Sequence, residues 1–211
     1  MRGGFITLEG TEGVGKSTCL EIVEELMSAK GYRVLATREP GGTPLGEKIR
    51  EWILEGQHSS LLAETEALLM FAARSHHLND VIRPALSQGC WVICDRFTDA
   101  TFAYQGGGRQ VNLEWLKTLK TSVQRGLEPD LTLLLDAPIK VGLERISSRD
   151  LDHFEREDLM FFERVRETYL DLAHNDSTRI KVIDAAQPMA KVRAQISKEL
   201  KRFLLDFRAS E

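Results

Sequence analysis

Gly10, Thr11, Glu12, Gly13, Val14, Gly15, Lys16 and Ser17, with Thr18 after them, satisfy every fixed position of G-x-x-x-x-G-K-[ST]. Glycines let such a loop turn successive backbone N–H groups inward, and a helix beginning at Lys16 points its positive end at the same spot. That arrangement holds phosphate oxygens. Lys16 would reach the β- and γ-phosphates of a nucleoside triphosphate, and the Ser17 hydroxyl would take one position on Mg²⁺. A turn that merely joins strand to helix is the competing reading. The apolar strand before the loop and the amphipathic run after it favour phosphate binding.

A phosphate loop names the donor and leaves the fate of the phosphate open, so the other loops must decide it. Two carry arginine at the end of an apolar run: Arg38-Glu39-Pro40-Gly41-Gly42-Thr43, and Asp95-Arg96-Phe97. Arg50, Arg74 and Arg109 add further cations. Any one of them taken alone reads better as a solvated surface charge. Arg38 and Arg96, however, share strand-end positions on the side that holds the loop, and an arginine fork suits bidentate phosphate binding. Asp95 ends its strand as a metal-holding acid does in nucleotide-binding sheets, and a helix cap or a partner for Arg96 is its alternative reading. Asp136 also ends an apolar run, but Pro138 after it points to a capping role.

The elements that must position these residues alternate. Phe5–Glu9, Arg33–Thr37, Trp91–Asp95, Leu131–Asp136 and Ile180–Asp184 read as strands. Between them lie helix-length runs. Lys16–Lys30 closes at Gly31 and Glu64–Gln88 at Gly89, while Pro138 and Pro188 mark the starts of later helices, the last running to about Phe207. Strands apolar on both faces and alternating with helices predict an α/β protein, a three-layer P-loop fold with a five-stranded, mostly parallel sheet flanked by helices. With no repeat or linker-like tract, residues 1–211 read as one domain.

Composition bounds the remaining possibilities. The chain has 211 residues, 28 Lys+Arg against 32 Asp+Glu and a formal charge of −4, so it lacks the cationic excess of a general nucleic-acid coat. Cys19, Cys90 and Cys94 have neither zinc-type spacing nor the even count of a disulfide framework. The stretch Met1–Glu9 has only a very short apolar run before an acid, so no signal peptide is expected, and no apolar run approaches the ~20 residues that cross a bilayer. A cytoplasmic protein without membrane or nucleic-acid partners is expected. His76 and His77, adjacent on a helix, face different directions and suggest solvated or core residues rather than a zinc site.

Taken together, the phosphate loop, Arg38-Glu39-Pro40-Gly41-Gly42-Thr43, and Asp95-Arg96-Phe97 followed by Ala103-Tyr104-Gln105-Gly106-Gly107-Gly108-Arg109 resemble bacterial thymidylate kinase. Pro129-Asp130-Leu131-Thr132 and Ile183-Asp184-Ala185 with Gln187-Pro188 extend the resemblance over nearly the whole chain. It implies transfer of the ATP γ-phosphoryl group to dTMP, giving dTDP and ADP, with Mg²⁺ accompanying ATP. Lys16, Arg96 and a lid arginine would serve catalysis. Arg38, Arg50 and Arg96 would meet the acceptor phosphate, and Glu12 would lie near the acceptor sugar and the metal held by Ser17 and Asp95. Arg74 with Thr101 and Gln105 would face the polar edge of thymine, and Tyr104 would pack beneath the deoxyribose. A homodimer built through helices is also implied, with the apolar helix around Leu61 to Leu86 as its candidate surface.

Three features depart from the family pattern. Its base-stacking Phe commonly stands four residues before the base-reading Arg, whereas here Phe71 stands three before Arg74 and Met70 four before; a planar ring favours Phe71. Ala100 replaces a common Ser, which moves any hydroxyl contact to Thr101. The third departure lies at about 145–157, a stretch that resembles the family's mobile lid over ATP. Gly13 stands where one subgroup has an arginine, so the transition-state cation is expected from the lid. Arg149, four residues after Arg145 at the ATP side, is the first candidate and Arg156 the second, with His153 where Arg is common. A nucleotide-dependent switch shares the loop and the lid but needs no acceptor pocket, so Arg74, Tyr104 and Gln105 argue for a kinase.

Overall fold

Strands that are apolar at consecutive positions need cover on both faces, and the computed structural model, which describes residues 2–54, 61–146, 154 and 157–209, supplies it. In chain order the elements are β1 (Phe5–Glu9), α1 (Lys16–Ser28), β2 (Val34–Arg38), α2 (Pro44–Leu54), α3 (Ala63–His77), a π-helical turn (Leu78–Ile82), α4 (Arg83–Ser87), β3 (Trp91–Asp95) and α5 (Thr98–Thr101). A second π-helical turn (Phe102–Gly108) follows, then α6 (Leu113–Gln124), β4 (Leu131–Asp136), α7 (Ile139–Ile146), α8 (Leu159–Asn175), β5 (Ile180–Asp184) and α9 (Met189–Ala209). The strands form one sheet in the order β2-β3-β1-β4-β5, and every pairing is parallel. All five carboxyl ends therefore lie along one edge.

Burial follows position in the sheet. The central strand β1 is buried throughout, while the edge strands β2 and β5 are partly exposed. On one face α1 and α9 cover Leu8 and Leu133 with Val23, Met27, Ile196 and Leu200. On the other, Phe5, Leu78, Ile82, Val92 and Phe97 form one cluster, and Ala103, Tyr104, Phe162, Val165 and Tyr169 belong to a second. Each of the larger aliphatic and Phe side chains among them contributes roughly 1.5–3 kcal/mol on burial, and together they fix the sheet that carries the site at its edge.

Four element boundaries refine the sequence reading. β2 runs one residue later than expected, because its ladder continues until Arg38 pairs with Asp95. α1 stops at Ser28, and Gly31, at φ +84°, donates its N–H to the Ser28 carbonyl to close the turn. The single helix expected over 64–88 is interrupted by the wider π turn just ahead of Pro84, which has no N–H to give to the residue four back. Pro138 and Pro188 sit just before α7 and α9, and their carbonyls accept the first helical N–H groups.

Asp136 corrects a second expectation. Its two carboxylate oxygens accept from Arg166 Nε and Nη2 at 2.7 and 2.8 Å, so it ties β4 to α8 rather than capping a helix.

Candidate active site

Between β1 and α1 the chain makes the tight loop its glycines allow, with Gly10, Gly13 and Gly15 at φ +138°, +69° and +92°. Lys16 folds back over it. Its Nζ donates to the carbonyls of Gly10 at 3.1 Å and Thr11 at 2.7 Å, so the ammonium is held by the loop it belongs to. Burial and the neighbouring Arg96 lower its pKa to about 8, against the opposing pull of Glu12 and Asp95. Gly13 has a further reason to be glycine: a Cβ there would stand 2.0 Å from the Gly142 carbonyl oxygen at the start of α7. An arginine at that position has no room.

The loop opens on a cavity of about 410 Å³, within the size range of small-molecule sites. Ser17 and Asp95 both line it. Asp95 Oδ1 is buried and has no hydrogen-bond partner among the described residues. A carboxylate oxygen left in that state, in a cavity that Ser17 also lines, fits a divalent cation held jointly with phosphate oxygens. Among the described residues no group of three or more His, Cys, Asp or Glu side chains could hold a metal, so any such ion depends on the nucleotide for its remaining ligands.

Arg50 and Arg96 face the same cavity. Arg96 has a left-handed backbone, φ +64°, and its Nη2 donates to Glu12 Oε1 at 2.6 Å and to the Tyr104 hydroxyl at 3.0 Å. Tyr104 in turn donates to Glu12 at 2.9 Å. Burial alone would raise the Glu12 pKa, but Arg96 and Lys16 overcome it and hold the carboxyl at about 2. The Arg96 turn is braced from below by Glu9, whose Oε1 accepts the Phe97 N–H at 2.7 Å and whose Oε2 accepts the Tyr169 hydroxyl at 2.8 Å. Burial, reinforced by the nearby Asp99, pushes Glu9 up to about 8.

Arg74, Thr101 and Gln105 also line this cavity. Arg74 is 2% exposed; its Nε pairs with Glu39 at 2.7 Å and its Nη2 donates to the Phe97 carbonyl at 3.1 Å and Thr101 Oγ1 at 3.0 Å. Its Nη1 is buried without a partner among the described residues. Gln105 Nε2 donates to Glu66, which also accepts from Arg109, and Arg109 continues to Glu157. The second π turn places Tyr104 and Gln105 here, and α8 closes against its glycines: a Cβ on Gly107 would lie 2.1 Å from Thr168 Oγ1.

Two expected contacts are displaced. Phe71 does not line the cavity; it packs with Ala67, Phe102, Val111 and Leu116, and its ring lies 4.9 Å from the Arg74 guanidinium, which Phe97 approaches from 5.1 Å. Being three residues before Arg74, the ring falls against the arginine's core side, and Met70 takes the place at the cavity wall. Arg38 lies at the rim, half-exposed and paired with Glu47 Oε2 at 2.9 Å. It steadies α2 rather than lining the cavity.

On the other side of the phosphate loop, Arg145 donates to the Gly13 and Ala185 carbonyls at 3.3–3.4 Å and borders a groove with Val14, Gly15 and the segment 185–189. Arg149, His153 and Arg156 lie outside the described residues. Phe154 is described and packs edge-on against Tyr104, with ring centroids 5.5 Å apart. The sequence reading ranked Met70 behind Phe71, took His77 only as a solvated or core residue, and missed Glu9 and Glu39. Glu39 had a signal, since it stands inside the quoted Arg-Glu-Pro-Gly-Gly-Thr stretch, whereas Glu9 looked like any polar strand terminus.

Comparison with known proteins agrees with this geometry. The thymidylate kinase family profile matches residues 8–196. The chain is 52% identical to thymidylate kinase of Pseudomonas savastanoi over 205 residues, covering 97% of this chain and 98% of that one. It is 53% identical to thymidylate kinase of Methylococcus capsulatus, covering 96% and 97%. The crystal structure of thymidylate kinase from Ehrlichia chaffeensis superposes with a TM-score of 0.79 at 32% identity, covering 95% of this chain and 99% of that one.

Proposed function

The chain belongs to the thymidylate kinase family and is a kinase that phosphorylates dTMP to dTDP with ATP, and we propose the following division of work within its cleft. ATP lies on the phosphate loop, with Lys16 on the β- and γ-phosphates and the purine toward Arg145 and the segment 185–189. dTMP fills the cavity opposite. Its phosphate meets Arg50 and Arg96, its sugar rests against Tyr104 and Glu12, and its base faces Arg74, Thr101, Gln105 and Met70. The observation that carries this reading is a single cavity lined by Lys16, Asp95, Arg50 and Arg96 at one end and by Arg74, Thr101 and Gln105 at the other.

The acceptor is a phosphate monoester with a second pKa of about 6, already mostly a dianion at neutral pH, so no general base is needed. The barrier is the approach of two anions. Lys16, Arg96 and Arg50 answer it with fixed positive charge, and they cost little reorganisation because their partners already hold them. Ser17 and Asp95 would hold the Mg²⁺ that accompanies ATP, and that ion, when bound, neutralises charge on the β- and γ-phosphates. Arg149 supplies the remaining cation from the lid, with Arg156 as the alternative donor.

Among the described residues no helix is long and apolar enough to cross a membrane, and we place the enzyme in the cytoplasm. We further propose a homodimer, supported by Trp52 on α2 and Leu68 on α3, which stand about half exposed on neighbouring helices. The decisive experiment measures ADP release with ATP and Mg²⁺ against a panel of nucleoside monophosphates. Release that depends on dTMP and far exceeds that with cytidine or purine monophosphates is expected. Equal release without any acceptor would overturn the reading.

A further inference from the structure

His77 ends α3 and is 0% exposed, yet it contributes nothing to the phosphate chemistry. It stands three residues after Arg74 on the same helical face, and one carboxylate joins the two: Glu39 Oε2 pairs with Arg74 Nε at 2.7 Å and Glu39 Oε1 with His77 Nδ1 at 2.9 Å. A carboxylate only accepts, so Nδ1–H donates, and the ring's Nε2 shares a 2.7 Å hydrogen bond with the Thr37 hydroxyl on β2. Thr37, His77, Glu39 and Arg74 thus form a continuous chain from the sheet edge to the cavity.

Space for that chain is built into the glycine pair of Arg38-Glu39-Pro40-Gly41-Gly42-Thr43. A Cβ on Gly42 would stand 2.4 Å from His77 Nε2 and 2.7 Å from Thr37 Oγ1, so any larger residue there would displace the histidine. The far end of the chain is equally constrained. With Nε on Glu39, Nη2 on Thr101 and the Phe97 carbonyl, and the rings of Phe71 and Phe97 within 4.9 and 5.1 Å of the guanidinium carbon, Arg74 is held in place. Its Nη1 is left as a fixed, desolvated donor on a residue that lines the cavity.

We infer that His77 is a positioning residue for base recognition, which through Glu39 holds Arg74 so that Nη1 meets a carbonyl oxygen on the pyrimidine and disfavours a base carrying an amino group there. A buried donor left unmatched, or facing another donor, is expensive, and such sites discriminate far better than apolar ones. The inference rests on the proposal that Arg74 faces the base.

The test compares kcat and KM for dTMP, dUMP and dCMP, and KM for ATP, in Arg74→Lys, His77→Ala, His77→Gln and Thr37→Val. His77→Ala is expected to raise KM for dTMP about tenfold and to lower the preference for dTMP over dCMP by a similar factor, the scale of one charged hydrogen bond. KM for ATP stays unchanged. The preference for dTMP over dUMP also stays unchanged, because uracil carries the same carbonyl and differs only by a methyl. His77→Gln, whose amide can still donate toward Glu39, recovers part of the dTMP/dCMP preference; Thr37→Val, nearly isosteric, loses about threefold and reports on the chain even if His77→Ala does not fold. Loss of rate with all acceptors alike and an intact dTMP/dCMP preference would overturn the inference. If Arg74→Lys itself left that preference intact, the placement of the base would fall instead.

Discussion

The phosphate loop is built from consecutive residues, Gly10 to Ser17, and even its lysine is anchored to carbonyls five and six positions away in the chain. The opposite wall is built from side chains drawn from far apart: Glu12 meets Arg96 and Tyr104 across 84 and 92 residues, and Arg74 meets Glu39 across 35. The donor side is thus a local structure that any chemistry on a nucleoside triphosphate can use. The acceptor side exists only once the fold has closed. Energy supply and substrate choice are therefore separable, and substitutions on the two sides should fail differently.

The largest effect belongs to the donor side. Lys16→Met is expected to lower kcat on the order of 10³-fold, because it removes a preorganised cation from the transferring phosphoryl, while the Kd for dTMP moves little. Arg149→Ala should cost a similar 10³-fold if it acts as an arginine finger, and Arg156→Ala far less. Single-turnover rates and dTMP binding by calorimetry separate the two sides; a dTMP affinity that collapsed in Lys16→Met would erase the distinction between them.

The pH profile sharpens the contrast. Lys16 works as the cation, and its pKa in the free enzyme is lowered to about 8, so kcat/KM for ATP should fall as pH rises through 8, approaching tenfold per unit. kcat at saturating ATP should stay flat further up, since bound phosphates favour the charged form. Arg96→Ala removes the neighbouring cation that depresses Lys16 and should move this limb to higher pH. A limb that does not move would show that burial alone sets it.

On the acceptor side, Tyr104→Phe keeps the ring against Phe154 and deletes only the hydroxyl shared by Arg96 and Glu12. A loss of about fivefold in kcat/KM for dTMP is expected, the scale of one ordinary hydrogen bond, because Arg96 and Glu12 remain paired with each other, with KM for ATP unaffected.

The same local-versus-distant division governs how much could be read from the chain itself. Four of the five strands ended where alternation of apolar and acidic residues placed them, and the phosphate loop was legible because its residues are consecutive and its geometry depends on glycine. The acceptor wall was legible only through resemblance, and there the errors were of side-chain direction. Phe71 and Met70 are one position apart, about 100° around a helix, and nothing in the spacing says which side of Arg74 faces the core. Arg38 shares a strand-end register with Asp95 and still turns outward, because Glu47 on α2 offers it a partner. The π turns at Leu78–Ile82 and Phe102–Gly108 left no mark beyond Pro84 and a run of glycines. Glu9 and His77, buried and bonded only to distant residues, could not be told from an ordinary strand end and an ordinary helix histidine.

Glu9 carries the smallest and most specific prediction, because it lies under both regions at once, at the end of β1 before the phosphate loop and beneath the Arg96 turn. Burial raises its folded pKa from 4.5 to about 8, so it stabilises the fold fully below about pH 4.5, and that contribution is lost progressively as pH rises to about 8. Glu9→Gln keeps an acceptor for the Phe97 N–H and cannot ionise. The variant should therefore have a melting temperature near the parent's at pH 5 and a flatter decline between pH 5 and 9, so that it stands increasingly above the parent toward the alkaline end. Parallel thermal melts across that range decide the point: if the two curves stay a constant distance apart, Glu9 is already ionised throughout, and the brace under Arg96 is a carboxylate paid for elsewhere in the network of Tyr169 and Arg96.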